Sequence, residues 1–242
     1  ILLSLWFYKK NINFIPKIGK YANKYTKSIA SLGFQFFIIQ IAVVVIFTTD
    51  KILITQLFGP EHVTSYDVVF KLFSIITLAF SLINAPLTSA YNDAYNRNDL
   101  EWMKKIIKRQ MKIYLVVILF SITLNVFSEK ILKYWIGEGY VYDREIIFSM
   151  TIYIIIASWN NIFSTVLGGL GLIRLGSFYT VLTGIINIPI SYLYAIEFDL
   201  GVSGIIYGTV TSIAISTIVS PIQVYYFIFS RSKNNLLEWV LR

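Results

Sequence analysis

The sequence predicts an all-α fold: a polytopic integral membrane bundle of six transmembrane helices. Three observations predict it. Six long apolar stretches fill a chain of 242 residues that is 56% hydrophobic and only 14% charged. The Lys and Arg residues concentrate in every second gap between these stretches. Tyr and Trp gather near their ends, as at Tyr21, Tyr25, Trp102, Tyr134, Trp135, Tyr140, Tyr225, Tyr226 and Trp239, the pattern of aromatic interface belts. A helix needs about 20 apolar residues to cross a bilayer. Hydrocarbon offers no water to unpaired backbone groups, so spanning segments of this length must be helical.

The chain opens on the apolar run from Ile1 to Tyr8, followed by Lys9 and Lys10. This reads as the inner end of a preceding helix, not as a signal peptide, because the bases follow the apolar run. Residues 1–27 are therefore expected to be that helix end plus a basic cytoplasmic linker. Residues 28–229 form the six-helix lobe and 230–242 a cytoplasmic tail. The expectation is the C-terminal half of a larger protein.

The first span covers Ile29–Phe47 and carries Gln35 and Gln40, which suit hydrogen bonds between helices. Asp50-Lys51 interrupts the apolar run that continues to Phe58. The pair either marks a helix extending past the interface or lines a wet cavity. The second span, Val63–Ala90, contains Lys71. Nine residues beyond His62, at 1.5 Å each, put it roughly 13 Å below the surface of a ~30 Å core. A charge facing lipid there costs several kcal/mol, so Lys71 should meet a cavity, an anionic ligand or a partner such as Asp67, one turn away.

Asn84-Ala85-Pro86 in this span and Asn187-Ile188-Pro189 in the fifth repeat one signature. Proline removes a helical hydrogen bond and can kink the helix, so Pro86 and Pro189 are candidate bending points, with Asn84 and Asn187 as polar groups beside them. Asp99 is a candidate N-cap for an amphipathic basic stretch reaching Tyr114. Leu100, Met103, Ile106, Ile107 and Met111 occupy one face, and Lys104, Lys105, Lys108 and Arg109 the other. The expectation is an in-plane connector held on anionic lipid. The third span is Ile113–Phe127 and the fourth Ile146–Leu167, with a polar patch at Ser158, Asn160 and Asn161. The fifth is Phe178–Ile196. The last, Val202–Phe229, carries Gly204, Gly208, Ser212, Ser216 and Ser220 every fourth residue, a helix-packing stripe.

Bases fall at Lys9 to Lys27, Arg97 to Lys112, Arg174 and the tail residues Arg231, Lys233 and Arg242. The intervening gaps hold Lys51 alone, or Lys130, Lys133 and Arg144 outweighed by Glu129, Glu138, Asp143 and Glu145, or only the acids Glu197 and Asp199. Short basic loops stay inside, so both ends of the chain are expected in the cytoplasm. The net charge of +8 follows from these membrane flanks and does not indicate nucleic-acid binding. The single histidine, His62, and the absence of cysteine give no metal cluster and no thiol nucleophile. No phosphate loop occurs, and Gly169-Leu170-Gly171 is an incomplete glycine fingerprint. Catalysis, metals and cofactors are not expected.

Several short motifs, in order, carry a resemblance. They are Thr49 to Ile54, Leu57 to Val63, Tyr66 to Phe73, Ala90 to Tyr95, Trp135 to Gly139, Gly168 to Arg174, Asn187 to Pro189 and Gly201 to Gly204. Over about Tyr21 to Phe229 the chain resembles Wzx-type polysaccharide flippases, of the superfamily that includes multidrug and toxin extrusion transporters. The resemblance implies the C-terminal lobe of a flippase in the bacterial inner membrane. Its substrate would be an undecaprenyl-diphosphate-linked oligosaccharide for O-antigen, capsule or exopolysaccharide. It also implies a facing N-terminal lobe, and contacts with membrane lipids and other polysaccharide-assembly proteins. Lys71 would meet the diphosphate, and Asp50 and Asp67 would balance it and couple an ion or proton. A drug or cation antiporter of the same fold, a lipid II flippase and a non-transporting scaffold are the alternatives.

Overall fold

The structure, a computed structural model, describes residues 2–12, 22–137 and 143–230. Lys17, Lys20, Tyr21, Glu138, Gly139, Tyr140 and the tail bases and Trp239 lie outside the described residues. The chain divides into two compact units, Ile1–Phe34 and Gln35–Arg242, and the helix packing lies within the second.

The described residues are helical and contain no strand. The helices are α1 (Leu2–Lys10), α2 (Ala22–Phe58), α3 (Pro60–Asn96), α4 (Leu100–Ile136), α5 (Arg144–Leu170), α6 (Arg174–Tyr192) and α7 (Gly201–Val224). Single π-helical turns, Leu193–Glu197 and Tyr225–Phe229, extend α6 and α7. Six of these segments are long and apolar enough to cross a membrane: Ile29–Phe58, Pro60–Asn96, Leu100–Ile136, Arg144–Leu170, Arg174–Glu197 and Gly201–Phe229.

Two expectations change, while α2 runs unbroken through Asp50-Lys51 to Phe58, the long helix that one reading of this pair allowed. Its buried residues, Ala42, Ile46, Asp50, Leu53 and Ile54, recur at helical spacing, so Asp50 falls on the buried face of the helix. The basic stretch after Asp99 is no separate in-plane helix, for α4 continues from Leu100 to Ile136 without a break. No Gly or Pro lies between Lys112 and the apolar residues that follow, so nothing interrupts the backbone ladder. Residues 22–27, expected as linker, are already helical.

The helix ends follow from local chemistry. Gly59, at φ 102°, turns the chain between α2 and α3, and Pro60 opens α3, where its missing N–H costs nothing. Asp99 caps α4 by accepting from the Trp102 N–H at 3.0 Å. Asp143 caps α5 through the N–H groups of Glu145 and Ile146, at 2.9 and 3.3 Å. Pro86 lies inside α3 and Pro189 inside α6, and both helices continue past them.

α5 is the central helix, packed on α3, α4 and α7, while α6 packs on α7. Ile146, Ile147, Met150, Ile154, Ile162 and Val166 of α5 are all buried. Small residues set the closest approaches. A Cβ on Gly169 would lie 2.7 Å from the Thr88 carbonyl of α3, and one on Gly204 would lie 2.6 Å from the Ala195 nitrogen. A Cβ on Gly208 would come within 2.5 Å of the Ser191 Cα. The four-residue stripe of α7 thus divides. Gly204, Gly208 and Ser212 are buried, and the Ser212 carbonyl accepts from Thr183 of α6 at 3.1 Å. Ser216 and Ser220 instead line an open groove.

Candidate functional site

Adjacent charges on α2 part company. Lys51 turns to Asp67 of α3 and pairs with it at 2.8 Å, both side chains partly exposed. Asp50 turns inward and is 1% exposed. Thr209 of α7 lies with its Oγ 3.0 and 3.2 Å from the two carboxylate oxygens. Asn187 of α6 donates to that hydroxyl at 2.8 Å. No basic residue among the described ones pairs with Asp50. A cavity of about 10 Å³ lies against it, lined by Tyr66, Met150, Tyr153, Ile206 and Thr209. That is about the space of one water-sized sphere. The buried Asn187 Oδ1 has no protein partner. A buried carboxylate faced only by neutral donors is electrostatically incomplete, and a proton or a small monovalent cation would complete it.

Two of these residues lead outward. Thr209 and Tyr153 also line a groove of about 510 Å³ between α2, α5, α6 and α7. Its polar wall is made of hydroxyls and carboxamides, among them Gln40, Asn160, Asn161, Ser164, Thr180 and Ser216, and no charged residue among the described ones lines it. Asn160 donates to Thr217 Oγ at 3.0 Å, while its buried Oδ1 has no partner. A second cavity, about 240 Å³, holds the unpartnered Ser158 Oγ and is lined by Phe70, Thr77, Tyr153 and Asn161.

The predicted site residues therefore separate. Asp50 lines the small cavity, and Asn187 is linked to it through the Thr209 hydroxyl. Asn84 is enclosed: its Nδ2 donates to Asn161 Oδ1 at 2.6 Å and its Oδ1 accepts from Gln110 at 2.9 Å. Tyr91 donates to Gln110 Oε1 at 2.5 Å, completing a buried chain through α3, α4 and α5. Both ends of the Asn84 amide are thus used in packing, and it is not open to a ligand. Asp67 does not pair with Lys71, because Lys51 across the α2–α3 turn reaches it first. Lys71 is exposed, on the face of α3 that also exposes Ile75, Leu78 and Leu82. Pro86 is exposed beyond Leu82 on the same helix. Thr209, Tyr66, Tyr153 and Gln110 escaped the sequence reading. A hydroxyl or amide mid-span was the signal available.

Residues 36–193 match the MatE family model, so the chain belongs to the MatE family, whose members are transporters and not enzymes. With six apolar helices it is a multi-pass membrane protein. Among solved structures it is similar to a multidrug resistance MATE family transporter of the MOP superfamily in an outward-facing conformation. The TM-score is 0.68 at 19% identity, over 88% of this chain and 49% of that one. The chain thus spans about half the length of this structural relative. No curated protein matches.

Proposed function

We propose that this chain is one lobe of a flippase carrying an undecaprenyl-diphosphate-linked oligosaccharide across the bacterial inner membrane for O-antigen, capsule or exopolysaccharide synthesis. It works by alternating access against a second lobe, with both ends of the chain in the cytoplasm. The observation that carries this reading is a largely apolar groove with hydroxyls and carboxamides along its wall and no charge among the described residues that line it. Such a surface exchanges hydrogen bonds with a hydroxylated neutral ligand and gives an organic cation no counter-charge. Lys71, exposed within its span, supplies the positive charge a diphosphate requires. Asp50 is the coupling group. Taking up a proton or monovalent cation would neutralise it, and Thr209 and Tyr153 would transmit the change to the groove that they also line.

One observation favours a second reading, a drug or cation antiporter of the same fold. Asp50 is a buried acid bonded to Thr209, which lines the groove, and is the residue such an antiporter would use. One experiment separates the two. The intact protein is placed in liposomes with a fluorescent polyprenyl-diphosphate oligosaccharide or a fluorescent organic cation, under proton or sodium gradients. Transfer of the lipid-linked glycan, reduced at least tenfold by Lys71→Ala, supports the flippase. Transfer of the cation alone, abolished by Asp50→Asn, overturns it in favour of the antiporter.

A further inference from the structure

We propose that the face of α4 bearing Lys105, Lys108, Arg109 and Lys112 is a docking surface for anionic phospholipid. It would hold phosphodiester headgroups of the leaflet at the N-terminal end of that helix. All four side chains are exposed, and their spacing of three and four residues sets them on one face. The opposite face is closed: Met103, Ile107, Gln110 and Tyr114 are buried against the bundle. The basic face runs directly into exposed Leu115, Val116 and Leu119, each 60% exposed or more. Cations and apolar residues therefore share one continuous outward surface.

The depth agrees. Between its flanking charges, Lys112 and Glu129, α4 carries no charge and rises about 26 Å, most of a ~30 Å hydrocarbon core. Lys112 then lies just outside the core, and Lys105 about 10 Å further out, within the headgroup layer. No α4 residue lines the polar groove or the cavity beside it, so this face turns away from both. The charge is also uncompensated. Glu101, the acid of the first turn, pairs with Lys104 at 2.9 Å, and none of the four cations has an acidic partner among the described residues. Charge matched to a lipid phosphate, apolar surface matched to its acyl chain and the level of the boundary all select a lipid over a soluble partner.

The test uses the intact protein in nanodiscs with spin-labelled phosphatidylglycerol or phosphatidylcholine, reading the ratio of their association constants. The wild type should prefer phosphatidylglycerol several-fold, and 1 M salt should remove that preference. The variant K105Q/K108Q/R109Q/K112Q should bring the ratio close to one. K105R/K108R/K112R should keep it, and so should K130Q/K133Q at the other end of α4. A preference that survives in the glutamine variant, or in 1 M salt, overturns the proposal. So does its loss in the arginine variant. A soluble protein that binds the wild type but not the glutamine variant, with lipid ratios unchanged, would also overturn it.

Discussion

The Thr209 hydroxyl lies 3.0 Å from one carboxylate oxygen of Asp50 and 3.2 Å from the other, across 159 positions of sequence. The same hydroxyl accepts from Asn187 at 2.8 Å. One side chain therefore ties α2, α6 and α7 together, and it does so at the inner edge of the groove. Thr209→Val keeps the shape and removes that link, leaving the Asn187 amide and part of the Asp50 carboxylate without a partner. The expected cost is about 1–3 kcal/mol, read as a lowered melting temperature of the purified protein. Unchanged stability would mean that the hydroxyl does not bear on Asp50.

Asp50→Asn removes the buried charge and keeps the side-chain shape. Because that charge has no basic partner, its removal should not lower the melting temperature. Gradient-driven transport should collapse while ligand binding in detergent persists. Normal gradient dependence in the variant would remove Asp50 from coupling.

The chain Tyr91–Gln110–Asn84–Asn161 should behave as one unit. Asn84→Ala and Gln110→Ala each leave a buried polar group unpaired, so the double variant should cost less than the two singles together. The coupling should be about 0.5–3 kcal/mol in a thermal double-mutant cycle. Additive losses would make the network a set of independent contacts.

The glycine contacts predict a contrast within one pair of packed helices. Gly204→Ala and Gly208→Ala force a methyl against backbone, so each should destabilise by about 1–3 kcal/mol. Gly176→Ala of α6 meets nothing within 4 Å and should be neutral or stabilising by up to about 1 kcal/mol. Equal melting temperatures for Gly204→Ala and Gly176→Ala would contradict the packing.

Lys51 and Lys71 should respond differently from their neighbours' burial. The Lys51–Asp67 pair is partly exposed, so Lys51→Ala should cost about 0–1 kcal/mol and depend on salt. Lys71→Ala should leave the melting temperature unchanged, because its side chain is exposed and makes no ion pair among the described residues. A large destabilisation by Lys71→Ala would mean that it serves the fold.

The sequence by itself determined the all-α class and the number of spans, since hydrophobic length is a property of the chain in one dimension. It also determined the Asp99 cap, which acts within one turn, and the close approach at Gly204 and Gly208, which follows from side-chain size alone. Tertiary structure decided the rest. Asp50 and Lys51 are adjacent in the chain, yet one helical step sends the first into the bundle and the second to Asp67. The four-residue spacing of Asp67 and Lys71 permitted a pair, but the α2–α3 turn brought a nearer cation. Asn84 carried the same signature as Asn187, but only Asn187 bonds to Thr209 beside Asp50, because the helices opposite the two residues differ. The importance of Thr209 could not be read from its own helix, which carries several other hydroxyls, Ser203, Tyr207, Thr211 and Ser212 among them. A hydrogen bond needs two groups within about 3 Å, and which groups meet depends on how helices far apart in sequence are ordered and rotated.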